Sequence, residues 1–389
     1  MELVTNEKTF DPDRKINYQF KVLYAIGIIF VVAGHAHGNE FIFLNELMHC
    51  TTYYMAMFVF SSGYFYSSTY DYSPIKYIVK KIKRLMIPYF LWNIVYGLIV
   101  FVLSKFNFTI GTPVTFEKLT YACLLGLPQF SFNIPGWFVA PLFATEVYNV
   151  LLRYVLIKIP EKQKNIIMLL FNFVLGITGI WLSEKGINTG IFLYATRLMY
   201  FVPFYTLGYF YRLYLEKKDT LPNVYYFSII IIIDLLVILF NGQSPEYQVI
   251  SMVDFPDPFS PFFLGIVGIA FWLRISRILV PVVGKSKYLI LIANNTFSIM
   301  MHHVFGFFVL KGMFYFASRI FSFLPEFKLE EYMSDVAYLY LPRGRGIPLL
   351  YVLFGIAFSL LIKFTVDKIK LFVLKKISFF HKPVSEGEI

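Results

Sequence analysis

Two histidines close the first long apolar segment of the chain, in the stretch VVAGHAHG. Gly34 and Gly38 flank His35 and leave room for a ligand or another helix to approach closely. An imidazole takes and gives a proton near neutral pH, which the transfer of a group to a hydroxyl requires. The alternative is a histidine that is hydrogen-bonded at a helix end, and spacing alone does not separate the two. We interpret His37 as a residue that lies at the membrane–water interface.

A second pair, His302 and His303, lies in the late apolar stretch NNTFSIMMHHVFG. Adjacent residues point about 100° apart on a helix, so the two imidazole rings face different directions and cannot readily act together at one site. We expect one ring to face the interior of the protein and the other to have a packing role. No metal site is predicted, because His35 and His37 are two residues apart, a poor spacing for ligands on one helix face, and no HExxH pattern is present.

Three further ionisable residues fall inside apolar segments, where a charge is costly and therefore a candidate for function. They are Glu146, Arg197 and Asp234. Arg197 would form an ion pair within the protein or anchor an anionic substrate group. Asp234 would pair with a basic group or mark a proton path. Pairing is the preferred interpretation for both.

The elements that must position these residues are membrane-spanning helices. The 389 residues are 58% hydrophobic and only 15% charged, against about 25% charged residues in globular domains. Apolar blocks of about twenty residues recur, the length that crosses a bilayer as a helix, and lipid offers backbone groups no other partner. We predict an all-α transmembrane bundle over 16–374, between tails at 1–15 and 375–389. Its ten spans lie near 16–34, 47–66, 86–104, 136–157, 165–182, 191–211, 224–240, 258–276, 287–316 and 347–374.

Basic residues set the predicted orientation. Alternate loops and the two ends hold 26 of the 35 Lys and Arg, which by the positive-inside rule places both termini in the cytoplasm. The net charge of +11 is thus explained by topology and lipid contact, and we predict membrane lipid but no nucleic acid as a partner. Two long connections lie on the outer side, 105–135, with a predicted short helix at Phe116–Leu127, and 317–346. One inner cluster could also bind phosphate, namely Lys80, Lys81, Lys83 and Arg84.

Five ordered segments together resemble the acyltransferase 3 family of membrane acyltransferases. KVLYAIGIIFVVAGH is similar to that family's opening helix, and YYMAMFVFSSGYFY resembles its Ser-Gly element. KKIKRLMIPYFLW resembles its basic run before Ile-Pro, PGWFVAPLF its Trp-Phe element, and NNTFSIMMHHVF its late histidine segment. The resemblance extends from about Asn17 to Lys370.

The resemblance implies roles for individual residues. His35 takes the catalytic position, and the candidates for catalysis or for lining the substrate path are His303, Ser62 and Thr296. Glu146 is a further candidate, because it is an ionisable residue within an apolar span. The basic cluster would bind acyl-CoA, and Tyr24, Trp137 and Arg197 are candidates for contact with substrate. The sequence departs from the family at Tyr24, where an arginine is usual, and Lys21 lies one turn nearer the cytoplasm as a substitute.

The resemblance further implies O-acylation, most often acetylation, of a cell-surface or lipid-linked polysaccharide in a bacterial inner membrane. Cytoplasmic acyl-CoA would be the donor substrate, with no tightly bound cofactor. Other proteins of polysaccharide synthesis are candidate partners. The alternative function is that of an exporter or flippase-like component of exopolysaccharide synthesis, for which buried ionisable residues would also be suited.

Overall fold

A computed structural model describes residues 16–37, 42–111, 113–126, 130–342 and 347–380, without the side chains of 375 and 377–380. Within these ranges the regular structure is helical, apart from one isolated β-bridge between Gln248 and Val253. The all-α prediction is confirmed. The predicted N-terminal tail, Gly38, Leu127 and residues 381–389 lie outside the described residues. The helices are α1 Tyr18–His35, α2 Tyr54–Tyr64, α3 Pro74–Lys81, α4 Ile87–Ser104, α5 Phe116–Leu119, α6 Tyr121–Leu124, α7 Val139–Val155, α8 Glu161–Glu184, α9 Gly190–Phe210, α10 Asn223–Asn241, α11 Ser260–Val283, α12 Lys287–Asn294, α13 Thr296–Ile320, α14 Leu329–Ser334 and α15 Ile347–Phe380.

Seven helices of the described part of the chain are long and apolar enough to cross a membrane. They are α1, α8, α10, α11, α13, α15 and the continuous stretch Pro74–Ser104, which joins α3 to α4 through a π-turn. The other three predicted spans correspond to α2, α7 and α9, of 11, 17 and 21 residues. The multi-pass helical fold is therefore as predicted, while the count of ten and the cytoplasmic termini stay predictions.

Helix α1 occupies the centre of the bundle. It begins at Asn17, whose side chain accepts a hydrogen bond from the backbone N–H of Phe20 at 3.1 Å and so satisfies one of the free donors of the first turn. Its apolar residues pack against α2, α11, α12, α13 and α15. Because α1 is surrounded in this way, its last residue, His35, lies among other helices instead of facing lipid.

Two predicted helices are broken in the structure. The span expected over 287–316 is interrupted at Asn295, whose side-chain amide donates to the carbonyl oxygen of Leu291 at 2.8 Å and competes with the helical backbone pattern. The short helix expected at Phe116–Leu127 is instead two short helices that meet at Thr120. The break at Asn295 matters for function because Thr296 begins the longer helix.

Glycines bring α2 and α9 into backbone contact. A Cβ atom on Gly63 would lie 1.8 Å from the carbonyl oxygen of Tyr205, and one on Gly208 would lie 1.9 Å from that of Phe60. Only glycine allows helices to approach so closely. This contact holds α2, which carries Ser62, against α9, which carries Arg197.

A buried charge cluster ties the loop between α2 and α3 to α7 and α8. Asp71 accepts hydrogen bonds from Arg153 Nε at 2.9 Å, from Lys164 Nζ at 3.0 Å and from the hydroxyl of Tyr66 at 2.8 Å. Burial by itself would raise the pKa of Asp71, but Arg153 and Lys164 outweigh it and hold this pKa below its ordinary value. The cluster anchors the loop that leads into the basic segment.

Candidate active site

A cavity of about 330 Å³ lies inside the bundle beside α1. Its walls come from α1, α2, the π-turn, the 3₁₀ segment Ser131–Phe138, α7, the start of α13 and the loop segment 247–250. Most of the lining is apolar, with a few hydroxyl, amide and imidazole groups among aromatic and aliphatic side chains. This composition is typical of pockets that bind small organic molecules.

Five residues that the sequence analysis selected line this one cavity: Tyr24, His35, Ser62, Trp137 and Thr296. Tyr24 and His35 are eleven residues apart on α1, which corresponds to about 16 Å along the helix axis. The cavity is therefore elongated along α1. The helices bring together side chains that are as far apart in the sequence as Tyr24 and Thr296.

Hydrogen bonding fixes the proton on the ring of His35. Its Nδ1 lies 2.7 Å from the carbonyl oxygen of Val31, and because a carbonyl only accepts, Nδ1 carries the hydrogen. In the neutral ring the lone pair is then on Nε2, which is the nitrogen that can accept a proton. His35 is more than a third exposed and lines the cavity, so it is accessible to a molecule bound there.

His303 packs directly against His35, with ring centroids 5.0 Å apart. Its Nδ1 lies 2.8 Å from the carbonyl oxygen of Ile299, which again leaves Nε2 as the basic nitrogen. That Nε2 is buried and has no hydrogen-bond partner within the described ranges. His303 is thus fully buried, contacts the ring of His35 and does not itself line the cavity.

His302 points elsewhere. Its Nδ1 is 2.7 Å from the hydroxyl of Tyr96, and its ring lies edge-on to Trp92 at 4.2 Å. The two neighbouring histidines therefore divide as expected, one toward the site and one into helix packing. The structure assigns the inward position to His303, which the sequence had chosen only by its register.

The basic cluster lies at the end of α3 and in the π-turn, immediately before Leu85, which lines the cavity. Lys83 and Arg84 are exposed. Lys80 donates to the hydroxyl of Tyr70 at 2.7 Å. One end of the cavity is thus adjacent to positive charge that is available to an anionic ligand.

Lys81 and Glu146 form an ion pair below this end of the cavity. Lys81 precedes Leu85 by one helical turn, and Glu146 follows Leu142 by one turn, while both leucines line the cavity. The Glu146 side chain is only 1% exposed. Glu146 therefore does not line the path, as the sequence had suggested it could, and Lys81 is less free than its neighbours.

The preferred ion-pair predictions for Arg197 and Asp234 are wrong within the described part of the chain. Asp234 is buried, and its Oδ2 has no hydrogen-bond partner there. Arg197 donates to the backbone carbonyl oxygens of Gly126 and Ile250 and stacks on Trp137 instead of meeting a carboxylate. Arg197 also does not line the cavity, so it is not placed for direct contact with substrate. Backbone carbonyls accept hydrogen bonds from its two terminal nitrogens in place of a charged partner.

Sequence reasoning missed two parts of the lining. The segment 247–250 folds against the cavity although it belongs to a connecting loop, held in part by the hydroxyl of Tyr247, which donates to the carbonyl oxygen of Thr52 at 2.9 Å. Tyr54 and Phe58 of α2 were also missed. In the sequence, segment 241–258 is distinguished by containing no Lys or Arg, a feature that bears on membrane topology and not on the site.

No group of three or more metal-ligating side chains is found in the described ranges.

A family model described as an acyltransferase domain, that of the acyltransferase 3 family, matches residues 17–378. The match covers nearly the whole chain and includes every residue that lines the cavity. No curated protein and no solved structure matches the chain.

Proposed function

The chain belongs to the acyltransferase 3 family, and from this premise we propose that it moves a small acyl group from acyl-CoA to a hydroxyl of a cell-surface or lipid-linked polysaccharide. The family and the apolar helices make it an acyltransferase with a multi-pass membrane fold. The observation that supports acyl transfer to a hydroxyl is that one cavity contains His35, Ser62 and Thr296 and adjoins the basic cluster.

The basic end suits the donor. Coenzyme A carries several phosphate charges, and Lys80, Lys83 and Arg84 offer charge-assisted hydrogen bonds at the cytoplasmic mouth. The thioester arm would then extend along α1 past Tyr24, over the roughly 16 Å that separate this residue from His35. Acetyl is the first candidate for the acyl group, and acyl-CoA acts as a substrate rather than a bound cofactor.

In this proposal His35 acts as the general base. Its Nε2 would accept the proton of the acceptor hydroxyl while the hydroxyl oxygen attacks the thioester carbonyl carbon. The carbon–sulfur bond then breaks, an ester forms on the sugar, and the leaving thiolate takes the proton back from the imidazolium. Ser62 and Thr296 supply hydroxyls that can orient either substrate in the cavity.

The acceptor would be presented on the outer side of a bacterial inner membrane, with help from other proteins of polysaccharide synthesis. An export or flippase-like role gains no support from the cavity, since Glu146, Asp234 and Arg197 do not line it. A carrier would also leave acetyl-CoA intact, which provides a direct discrimination.

The test uses purified protein, labelled acetyl-CoA and isolated surface glycan. We expect label to move to glycan or to be released as acetate, and His35→Ala to lower this rate by about 10²- to 10⁴-fold. His37→Asn is the matched control, since His37 is exposed with a φ of 50°, which asparagine tolerates. Full glycan acylation in cells by His35→Ala at normal abundance would refute the role of His35. Intact acetyl-CoA with the unaltered protein would refute the transferase itself.

A further inference from the structure

Arg197 is a buried cation in the middle of the bundle. It is 2% exposed, and its two terminal nitrogens donate to the carbonyl oxygens of Gly126 and Ile250. Its Nε is buried without a hydrogen-bond partner in the described residues, where the guanidinium also meets no carboxylate within ion-pair distance. Removing a charge from water is expensive, and carbonyl dipoles compensate only part of the cost. Such an arrangement suggests a use for the uncompensated charge.

The cavity is where this charge can act. The guanidinium carbon lies 4.8 Å from the centre of the Trp137 ring, and both Trp137 and Ile250 line the cavity. Arg197 therefore supports two adjoining parts of the wall from behind. Its positive field crosses only the Trp137 ring to reach the cavity, and charges are screened less inside protein than in water.

We propose that Arg197 is a positioning residue that stabilises the negative charge formed on the thioester carbonyl oxygen and keeps Trp137 and Ile250 in place. This inference rests on the proposed acyl transfer. When the acceptor oxygen bonds to the carbonyl carbon, the carbonyl electron pair moves onto its oxygen. The pair returns as the carbon–sulfur bond breaks and the thiolate leaves. Arg197 exchanges no proton and acts only through its charge.

The size of the effect follows from distance. For a thioester carbonyl oxygen in contact with the far face of the Trp137 ring, one further contact distance gives about 8 Å from the guanidinium. At an effective dielectric constant near 20, a unit charge at about 8 Å corresponds to a rate factor of about 30. The charge forms only during reaction, so the factor belongs to kcat and leaves the KM for acyl-CoA nearly unchanged.

Two variants separate charge from packing. Arg197→Lys keeps a cation behind Trp137, and Arg197→Gln keeps a hydrogen-bond donor without the charge. We expect Arg197→Gln to lose about 30-fold in kcat with a KM for acetyl-CoA within about 3-fold, and Arg197→Lys to recover most of kcat. Full kcat in Arg197→Gln would overturn the proposal, as would an equal loss of kcat in the two variants, because a purely structural role predicts that equality.

A second measurement does not depend on turnover. In protein with Cys50 and Cys123 replaced by alanine, Ile250→Cys is converted to a thiocyanate, whose nitrile stretching frequency reports the local electric field. We expect the frequency to shift in Arg197→Gln and to be restored in Arg197→Lys. An unchanged frequency in both would show that the charge is not felt in the cavity. If the unaltered protein consumes no acetyl-CoA, the proposed function fails, while the nitrile shift still decides whether Arg197 places a field there.

Discussion

The ion pair of Lys81 and Glu146 predicts an asymmetric response to substitution. Lys81→Met would leave the Glu146 carboxylate, 1% exposed, with neither oxygen bonded, since its Oε2 already lacks a partner in the described residues. Breaking a buried pair from this side costs about 3–5 kcal/mol. Glu146→Gln instead leaves a lysine whose side chain is 23% exposed and can reach water, so we expect about 1 kcal/mol.

The double variant sharpens this expectation. Lys81→Met combined with Glu146→Gln contains no buried charge at either position, so its stability should lie near that of Glu146→Gln alone. The coupling between the two substitutions is then about 3–5 kcal/mol. Lys83→Met is the matched control, because Lys83 is exposed in the same cluster and should change stability by no more than about 0.5 kcal/mol.

Denaturant unfolding of the purified protein in detergent micelles, followed by tryptophan fluorescence, measures these differences. The reasoning is refuted if Glu146→Gln destabilises the protein as much as Lys81→Met does. It is also refuted if the double variant is as unstable as the sum of the single changes, because additivity would mean that the pair does not interact.

The remaining predictions concern the second histidine, acid stability and helix contact. His303→Ala should lower the acyl transfer rate by at least about 10-fold through loss of support for His35, whereas His302→Ala should leave kcat within about 3-fold, as measured with labelled acetyl-CoA. Because the folded pKa of Asp71 lies below its ordinary value of 3.8, its stabilising contribution is complete above about pH 4 and is lost as pH falls through the folded pKa. The denaturant concentration at the unfolding midpoint should therefore decrease as the pH falls below about 4. Asp71→Asn should make this decrease smaller. Gly63→Ala should abolish accumulation of folded protein, as followed by size-exclusion chromatography, because its Cβ would lie 1.8 Å from a backbone oxygen.

Each of these predictions has a contrary outcome. Equal activity losses for His302→Ala and His303→Ala would mean that the packing of α13, and not the neighbour of His35, limits the rate. If the unfolding midpoint depended on pH in the same way with and without Asp71→Asn, the Asp71 carboxylate would not contribute to acid destabilisation. Normal folding of Gly63→Ala would show that α2 and α9 can separate. Gly306→Ala is its control, since the nearest atom to the added Cβ would be a Phe358 side-chain atom at 3.1 Å.

The sequence by itself determined the class of protein and much of its layout. The apolar helices lie within a few residues of most predicted spans, because insertion of a segment into lipid depends mainly on the summed transfer free energy of its own residues. Proximity along the chain likewise placed the basic cluster immediately before the span that the structure shows as α4. The ordered segments indicated the family, which the match over residues 17–378 confirmed.

Tertiary structure decided which side chains meet. The rotation of each helix about its axis determines these contacts. It brings His303 against His35 and Glu146 against Lys81. It also brings Arg197 to backbone carbonyl groups behind Trp137. A hydropathy pattern contains almost no information on that rotation when a helix is apolar all round. It is set by packing between residues far apart in the chain, such as Gly63 against Tyr205, and by local breaks such as Asn295. The sequence therefore located His35 at a helix end, and only packing between distant segments placed it in a cavity.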